Sequence, residues 1–130
     1  MGYNILLVDD SVTVRQVLKK ALHIAQVPLT ELLEAGNGEE ALAVLRDHWI
    51  DLVFMDLNMP GMGGAELYDN MRQDEEMKDV PVVVISTEGS KTRIEELKRK
   101  GIFAYIRKPF QPEQVRDVVG EVLGGMNDEE

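Results

Sequence analysis

The pair Asp9-Asp10, then Asp56, Ser86 and Lys108, stand far apart in the chain, yet each follows a short apolar run. Ile5 to Val8 leads into Asp9-Asp10, and Leu52 to Met55 leads into Asp56. Val82 to Ile85 leads into Ser86-Thr87-Glu88, and Ile102 to Ile106 leads into Lys108-Pro109-Phe110. If the runs are neighbouring strands, these side chains converge on one edge of a sheet. Three carboxylates brought together repel one another and call for a cation. Oxygen donors without histidine or cysteine favour Mg²⁺, which keeps room for water and phosphate oxygens. A lysine adds a mobile positive charge suited to phosphate, and a hydroxyl adds a hydrogen bond to a phosphoryl oxygen. One carboxylate can then act as nucleophile and form an acyl phosphate. Asp56 ends a central run and leads into Pro60-Gly61, so it is the carboxylate held most rigidly; Asp9 and Asp10 form a paired cation cradle. Each residue also has an ordinary reading: Asp10-Ser11 as a helix cap, Asp56 as turn initiation, Lys108 as a surface lysine. Their joint placement after four different runs makes coincidence a poor explanation.

The elements that must position these residues follow from periodicity. The four apolar runs, and a weaker fifth from Glu31 to Ala35, have strand length and continuous rather than alternating apolarity, the pattern of a parallel sheet buried on both faces. Between them lie helical patterns. Ser11 to Gln26 carries Val14, Val17, Leu18, Ala21, Leu22 and Ala25 at spacings of three and four, with Ser11 as N-cap. Asn37 caps a second helix, with Glu40 three residues on. A third runs from Gly64 to Arg72, and a fourth from Ser90 to Lys100, stopped by Gly101. The last starts at Pro112, with Val115, Val118, Val119, Val122 and Leu123 on one face. Gly124-Gly125 should end it, leaving residues 125–130 as a frayed acidic tail. The alternation βαβαβαβαβα gives a doubly wound α/β fold, with strand order 2-1-3-4-5 and a switch point between the first and third strands. Ligands of such sheets bind at the carboxyl ends of the strands, where the acids lie.

Composition narrows the function. The chain has 130 residues, enough for a single domain, and no linker or repeat suggests a second. Absence of cysteine removes disulfides, zinc thiolates and cysteine nucleophiles. His23 and His48 lack ligand spacing and read as structural or solvent-facing. No apolar run approaches the roughly 20 residues of a membrane span, and residues 1–11 do not read as a signal peptide. A net charge of −10 argues against nucleic acid and anionic membrane. Half of the 14 basic residues nonetheless crowd into one stretch: Lys91, Arg93, Lys98, Arg99, Lys100, Arg107 and Lys108. They form either a solvated helix face with one site lysine or a docking surface for an acidic partner.

The motifs Leu7-Val8-Asp9-Asp10-Ser11, Met55-Asp56-Leu57-Asn58-Met59-Pro60-Gly61, Val84-Ile85-Ser86 and Tyr105-Ile106-Arg107-Lys108-Pro109-Phe110 together resemble the response-regulator receiver family over residues 3–124. In particular they resemble its stand-alone, CheY-like chemotaxis members. The resemblance implies a flavodoxin-like (βα)5 fold and a two-component phosphorelay switch rather than an enzyme. It makes Asp56 the phosphoacceptor of a CheA-like histidine kinase. Mg²⁺ would be bound by Asp10, Asp56 and the backbone carbonyl of Asn58, with Asp9 acting through water. Lys108 would pair with the phosphoryl group and Ser86 would move to hydrogen-bond it, while Tyr105 turns inward. The Lys108-Pro109 bond would be cis, as only X-Pro bonds are at low cost. Asn58 and Glu88 would flank the path of a hydrolytic water and tune the lifetime of the acyl phosphate. Ser86 stands where threonine is commoner and Thr87 where alanine is, which loosens the switch and narrows access. A flagellar motor switch protein and a phosphatase are the implied further partners of a cytoplasmic monomer.

Three rivals share the fold. A haloacid-dehalogenase-type phosphatase needs a second aspartate where Asn58 stands. A flavodoxin-like carrier needs a phosphate loop where Asp9-Asp10 would repel the ligand. A receiver in a non-motility relay, or one binding a kinase or adaptor, has the same site and differs only in its output.

Overall fold

The computed structural model describes residues 2–127. Five strands alternate with five helices: β1 (Tyr3–Val8), α1 (Val12–Ile24), β2 (Leu29–Ala35), α2 (Gly38–Asp47), β3 (Leu52–Met55), α3 (Gly64–Arg72), β4 (Val82–Ser86), α4 (Lys91–Lys100), β5 (Ala104–Arg107) and α5 (Pro112–Asn127). The strands form one sheet in the order β2-β1-β3-β4-β5, and every pairing is parallel. This is the doubly wound, flavodoxin-like arrangement that the alternation of elements predicts.

Successive side chains of a strand point to opposite faces, and here both faces are covered. Leu6, Val8, Val53, Met55, Val82 and Val84 join one core with Ala41 and Leu45 of α2, Leu67 and Met71 of α3, and Leu97 of α4. Ile5, Leu7, Leu52, Phe54, Val83 and Ile85 join the other with Leu18 and Leu22 of α1 and Val115, Val119 and Val122 of α5. Two buried faces explain why the strands read as unbroken apolar runs. Truncating Phe54, which is 1 % exposed, would cost about 3–5 kcal/mol through lost transfer energy and a cavity.

Helix starts follow the capping residues. Ser11 accepts the Val14 N–H at 3.2 Å, Asn37 accepts that of Glu40 at 2.9 Å, and Ser90 accepts that of Arg93 at 3.3 Å. The Glu40 carboxylate reaches back to the Gly36 N–H at 2.8 Å, one residue beyond the usual capping-box partner. Gly101 ends α4 at φ 119°, a left-handed position that glycine takes without strain.

Element edges differ from the sequence reading in three places. β2 begins at Leu29, two residues early; it is an edge strand with exposed Thr30 and Glu31, and its register shifts beside Tyr3/Asn4, so its apolar signal is weak. β5 begins at Ala104, because Ile102 belongs to the turn after α4, where its N–H meets the Leu97 carbonyl. α5 does not stop at Gly124-Gly125 but runs to Asn127. Two glycines cost a helix only about 1 kcal/mol each, and burial of Val122 and Leu123 anchors the preceding turn. Asp128, Glu129 and Glu130 of the expected tail lie outside the described residues.

Candidate functional site

Strand register decides which acids meet. Val8 pairs with Ala35 on one side and Met55 on the other, so the residues that follow, Asp9 and Asp56, leave adjacent strands side by side. The Asp9 N–H bonds the Ala35 carbonyl at 3.0 Å, and the Asp56 N–H bonds the Val8 carbonyl at 2.9 Å. One strand further on, Ser86 pairs with Arg107, and the Lys108 N–H bonds the Ser86 carbonyl at 2.8 Å. The Lys108-Pro109 bond is cis, as expected.

Carboxylate oxygens of Asp9, Asp10 and Asp56 all lie within 4.8 Å of one another. The three differ in depth: Asp9 is 2 % and Asp56 7 % exposed, whereas Asp10 sits at the solvent rim. Lys108 Nζ lies 2.9 Å from Asp9 Oδ2 and 3.3 Å from Asp56 Oδ2. Burial works against the Lys108 ammonium, but the hydrogen bond to Asp9 and the charges of Asp56 and Asp9 outweigh it and hold the group above its usual pKa. One lysine against three carboxylates leaves two negative charges uncompensated. All the side-chain donors are hard oxygens, and the rim acid is open to water. A divalent cation that keeps part of its water shell fits both the charge and the donor set.

The loops beyond the strands shape this mouth. The Asn58 N–H points at Asp56 Oδ1 at 3.4 Å, while the Asn58 side chain is exposed. Gly63 and Gly64 bring α3 hard against the strand end. A Cβ at Gly64 would collide with the Asp56 carbonyl and lie 2.9 Å from Leu57 Cα. Ser86 is fully buried, and its hydroxyl accepts the Glu88 N–H at 3.3 Å. Thr87 is exposed. The Glu88 carboxylate turns away to accept the Ser90 N–H at 2.9 Å, while its carbonyl accepts the Tyr105 hydroxyl. Tyr105 thus packs its ring on the core beside β4 and reaches the loop between β4 and α4. Burial pushes its phenol up; a hydrogen bond with the Ser86 hydroxyl opposes that, and nearby Glu88 and Asp56 reinforce it.

Sequence reasoning missed Arg15. From α1 its guanidinium donates to the backbone carbonyl of Asp9 and, through Nε, to Glu34 Oε1 at 2.8 Å. Glu34 is also held by Lys19 at 2.7 Å. The Lys19 hydrogen bond, with Arg15 behind it, overcomes burial and keeps the Glu34 carboxyl below its usual pKa. Arg15 therefore braces the turn that carries the two aspartates. Its spacing from Ser11 gave no signal, because its contact with Glu34 depends on β2 lying beside β1.

Of the basic stretch, Lys91, Arg93, Lys98, Arg99 and Lys100 are exposed along α4, and Lys100 pairs with Asp69 at 3.3 Å. His23 is exposed, and His48 caps the end of α2, 3.9 Å from Glu31. Neither histidine joins the acidic site. No described helix is long and apolar enough to cross a membrane.

Comparison with known proteins matches this geometry. A family model described as the response regulator receiver domain matches residues 5–120. A chemotaxis protein CheY homologue of Campylobacter jejuni is 34 % identical over 121 residues, covering 92 % of each chain. The crystal structure of CheY4, a chemotaxis protein of Vibrio cholerae, superposes with a TM-score of 0.83 at 32 % identity, covering 94 % of this chain and 99 % of that one. CheY in a CheX–CheY–BeF3–Mg²⁺ complex from Borrelia burgdorferi superposes with a TM-score of 0.83 at 29 % identity, covering 93 % and 89 %.

Proposed function

Because this chain belongs to the response regulator receiver family, a phosphoacceptor of two-component signalling and not an enzyme in the ordinary sense, we propose that Asp56 is its acceptor and that its output is CheY-like. The observation that carries the assignment is the placement of Asp56: it ends β3, is buried, touches the Lys108 ammonium, and has two further carboxylates within 4.8 Å. Asp56 attacks phosphorus with a carboxylate oxygen. The bond from phosphorus to the donor, a phosphohistidine of a CheA-like kinase, breaks, and the donor nitrogen keeps the electron pair.

Mg²⁺, bound by Asp10, Asp56 and the Asn58 carbonyl with Asp9 through water, would neutralise the approaching anions. Lys108 then exchanges its carboxylate contacts for a phosphoryl oxygen, a charge-assisted bond that strengthens as the phosphoryl group arrives. Ser86 supplies a hydroxyl one strand away. Its movement frees the Glu88 N–H and draws in the loop to which the Tyr105 hydroxyl is bonded. That links phosphorylation to the face formed by α4, β5 and α5. Asn58 and Glu88 would flank the path of water to the acyl phosphate, where small polar and acidic side chains favour rapid self-hydrolysis. The α4 basic surface is the complement of an acidic or amphipathic partner segment.

The chemotaxis relatives favour a flagellar motor switch protein as that partner, with a phosphatase ending the signal and the chain acting in the cytoplasm as a single monomeric domain. Capture of motor switch protein on immobilised chain, with and without beryllofluoride and Mg²⁺, tests this output. Capture that rises with beryllofluoride and falls with Lys91→Glu and Arg93→Glu supports the reading. Capture indifferent to both moves the chain to the non-motility relay.

A further inference from the structure

At the end of the sheet opposite Asp56, the connections α2–β3 and α3–β4 enclose a groove of 560 Å³. β3 separates the two regions by about 13 Å, its four residues rising roughly 3.3 Å each. Ile50, Met77, Val80 and Pro81 line the groove, giving it an apolar floor. Asp47, Glu75, Glu76 and Asp79 surround it, with Arg46 and His48 the basic residues among its lining. Glu75 pairs with Lys78 at 2.9 Å, whereas Asp47, Glu76 and Asp79 form no ion pair among the described residues.

Trp49 forms one wall and is 77 % exposed, the most open of the large apolar side chains among the described residues. It is also fixed. Its indole N–H donates to Asp51 Oδ1 at 3.0 Å, and its carbonyl accepts the Asn4 side chain at 2.7 Å. The backbone N–H of Asn4 in turn holds Asp51 Oδ2 at 2.8 Å. An indole this exposed adds little apolar burial to the fold. Held in one orientation over an apolar cleft, it has the form of a binding anchor that loses little entropy on contact.

We propose that this groove docks a basic, apolar-anchored segment of a partner protein: an aliphatic side chain on the floor, and an adjacent arginine or lysine against Trp49 and the unpaired acids. A guanidinium can lie over the indole face and fork onto a carboxylate at the same time. The same rim repels anionic ligands and nucleic acid. Because the groove and Asp56 occupy opposite ends of the strands, a partner can hold the chain here while its phosphoryl face stays open. The inference does not depend on the output proposed above.

The chain has a single tryptophan, so its fluorescence reads this groove directly. The probe is a synthetic hexapeptide of alternating arginine and leucine, with glutamate–leucine and serine–leucine versions as controls. The arginine peptide should shift Trp49 emission saturably, and the controls should not. Affinity should fall at least about tenfold with Glu76→Lys plus Asp79→Lys, and several-fold between about 50 and 300 mM salt. Glu113→Lys plus Glu121→Lys on α5 should leave it unchanged, which separates groove binding from attraction to an acidic protein at large. Amide shifts confined to residues 46–51 and 75–81 in Trp49→Phe would locate the same site without the indole. No saturation at millimolar peptide, equal binding of the glutamate peptide, or equal loss with the α5 reversals would overturn the proposal. So would emission and sedimentation that change with protein concentration alone, which would give the groove to a second copy of this chain.

Discussion

The ammonium of Lys108 sits 3.3 Å from the carboxylate of Asp56, though 52 residues separate them in the chain. The contact sets two opposite expectations for stability measured in EDTA. Lys108→Ala leaves buried Asp9 and Asp56 without their cation and should destabilise by about 2 kcal/mol, less than for a fully buried pair because Lys108 keeps some exposure. Asp10→Asn removes a like charge from the same cluster and should stabilise by about 1 kcal/mol. Adding Mg²⁺ should raise the melting temperature of the unaltered chain, as expected for a ligand bound only by the folded state, and that response should vanish in Asp10→Asn. Urea melts and thermal scans with and without Mg²⁺ check all three signs.

The lifetime of the acyl phosphate should depend on what stands at Asn58 and Glu88. The Asn58 side chain is exposed beside Asp56, and Glu88 is bonded away from it to Ser90. Long basic side chains at both positions, Asn58→Arg with Glu88→Lys, would crowd the path of water and should slow dephosphorylation about tenfold, equivalent to 1.4 kcal/mol of barrier. Decay of the phosphorylated chain after removal of the donor gives the rate. An unchanged half-life would mean that water arrives by another route.

Alkaline stability should follow the buried phenols. Burial raises the pKa of Tyr68 and of Tyr105 above the ordinary phenol value of 10.0. In the unfolded chain both ionise first as pH rises, so the folded state holds the extra protons. Their contribution to stability is therefore full below pH 10.0 and is lost as pH rises through the raised folded values. Denaturant midpoints between about pH 9 and 11.5 should fall, and Tyr68→Phe should make the fall shallower.

Two glycine substitutions should act in opposite directions. Gly64→Ala forces a methyl against the Asp56 carbonyl and Leu57 Cα and should cost on the order of 2 kcal/mol while displacing the acceptor strand end. Gly120→Ala, on α5 with nothing within 4 Å, should stabilise by about 0.5–1 kcal/mol. Only the first should slow phosphorylation.

Why the site residues were legible in the sequence is itself physical. A parallel sheet buried on both faces writes each strand as an apolar run, and the first polar residues after a run must emerge at one edge. Asp9, Asp56 and Ser86 were placed by that rule, and Lys108 one residue further on, after Arg107. What the runs could not express is depth and cross-strand contact. Asp9 and Asp10 are neighbours of the same type, yet one is buried against Lys108 and the other faces solvent. Arg15 reaches Glu34 only because β2 lies beside β1. Glu88 spends its carboxylate on Ser90, a local capping contact that competes with any role toward the acceptor. At the margins, the half-exposed edge strand and the Gly124-Gly125 pair misled because packing by neighbours outweighs local propensity.

The central claim is that a single oxygen-bearing side chain, Asp56, receives phosphorus with the help of a divalent ion. Intact-mass measurement after incubation with acetyl phosphate addresses it without any partner protein. The unaltered chain should gain one phosphoryl group with Mg²⁺ and none with EDTA, and Asp56→Ala should gain none in either. A phosphoryl group on the Asp56→Ala chain, or one on the unaltered chain that ignores the metal, would contradict the account.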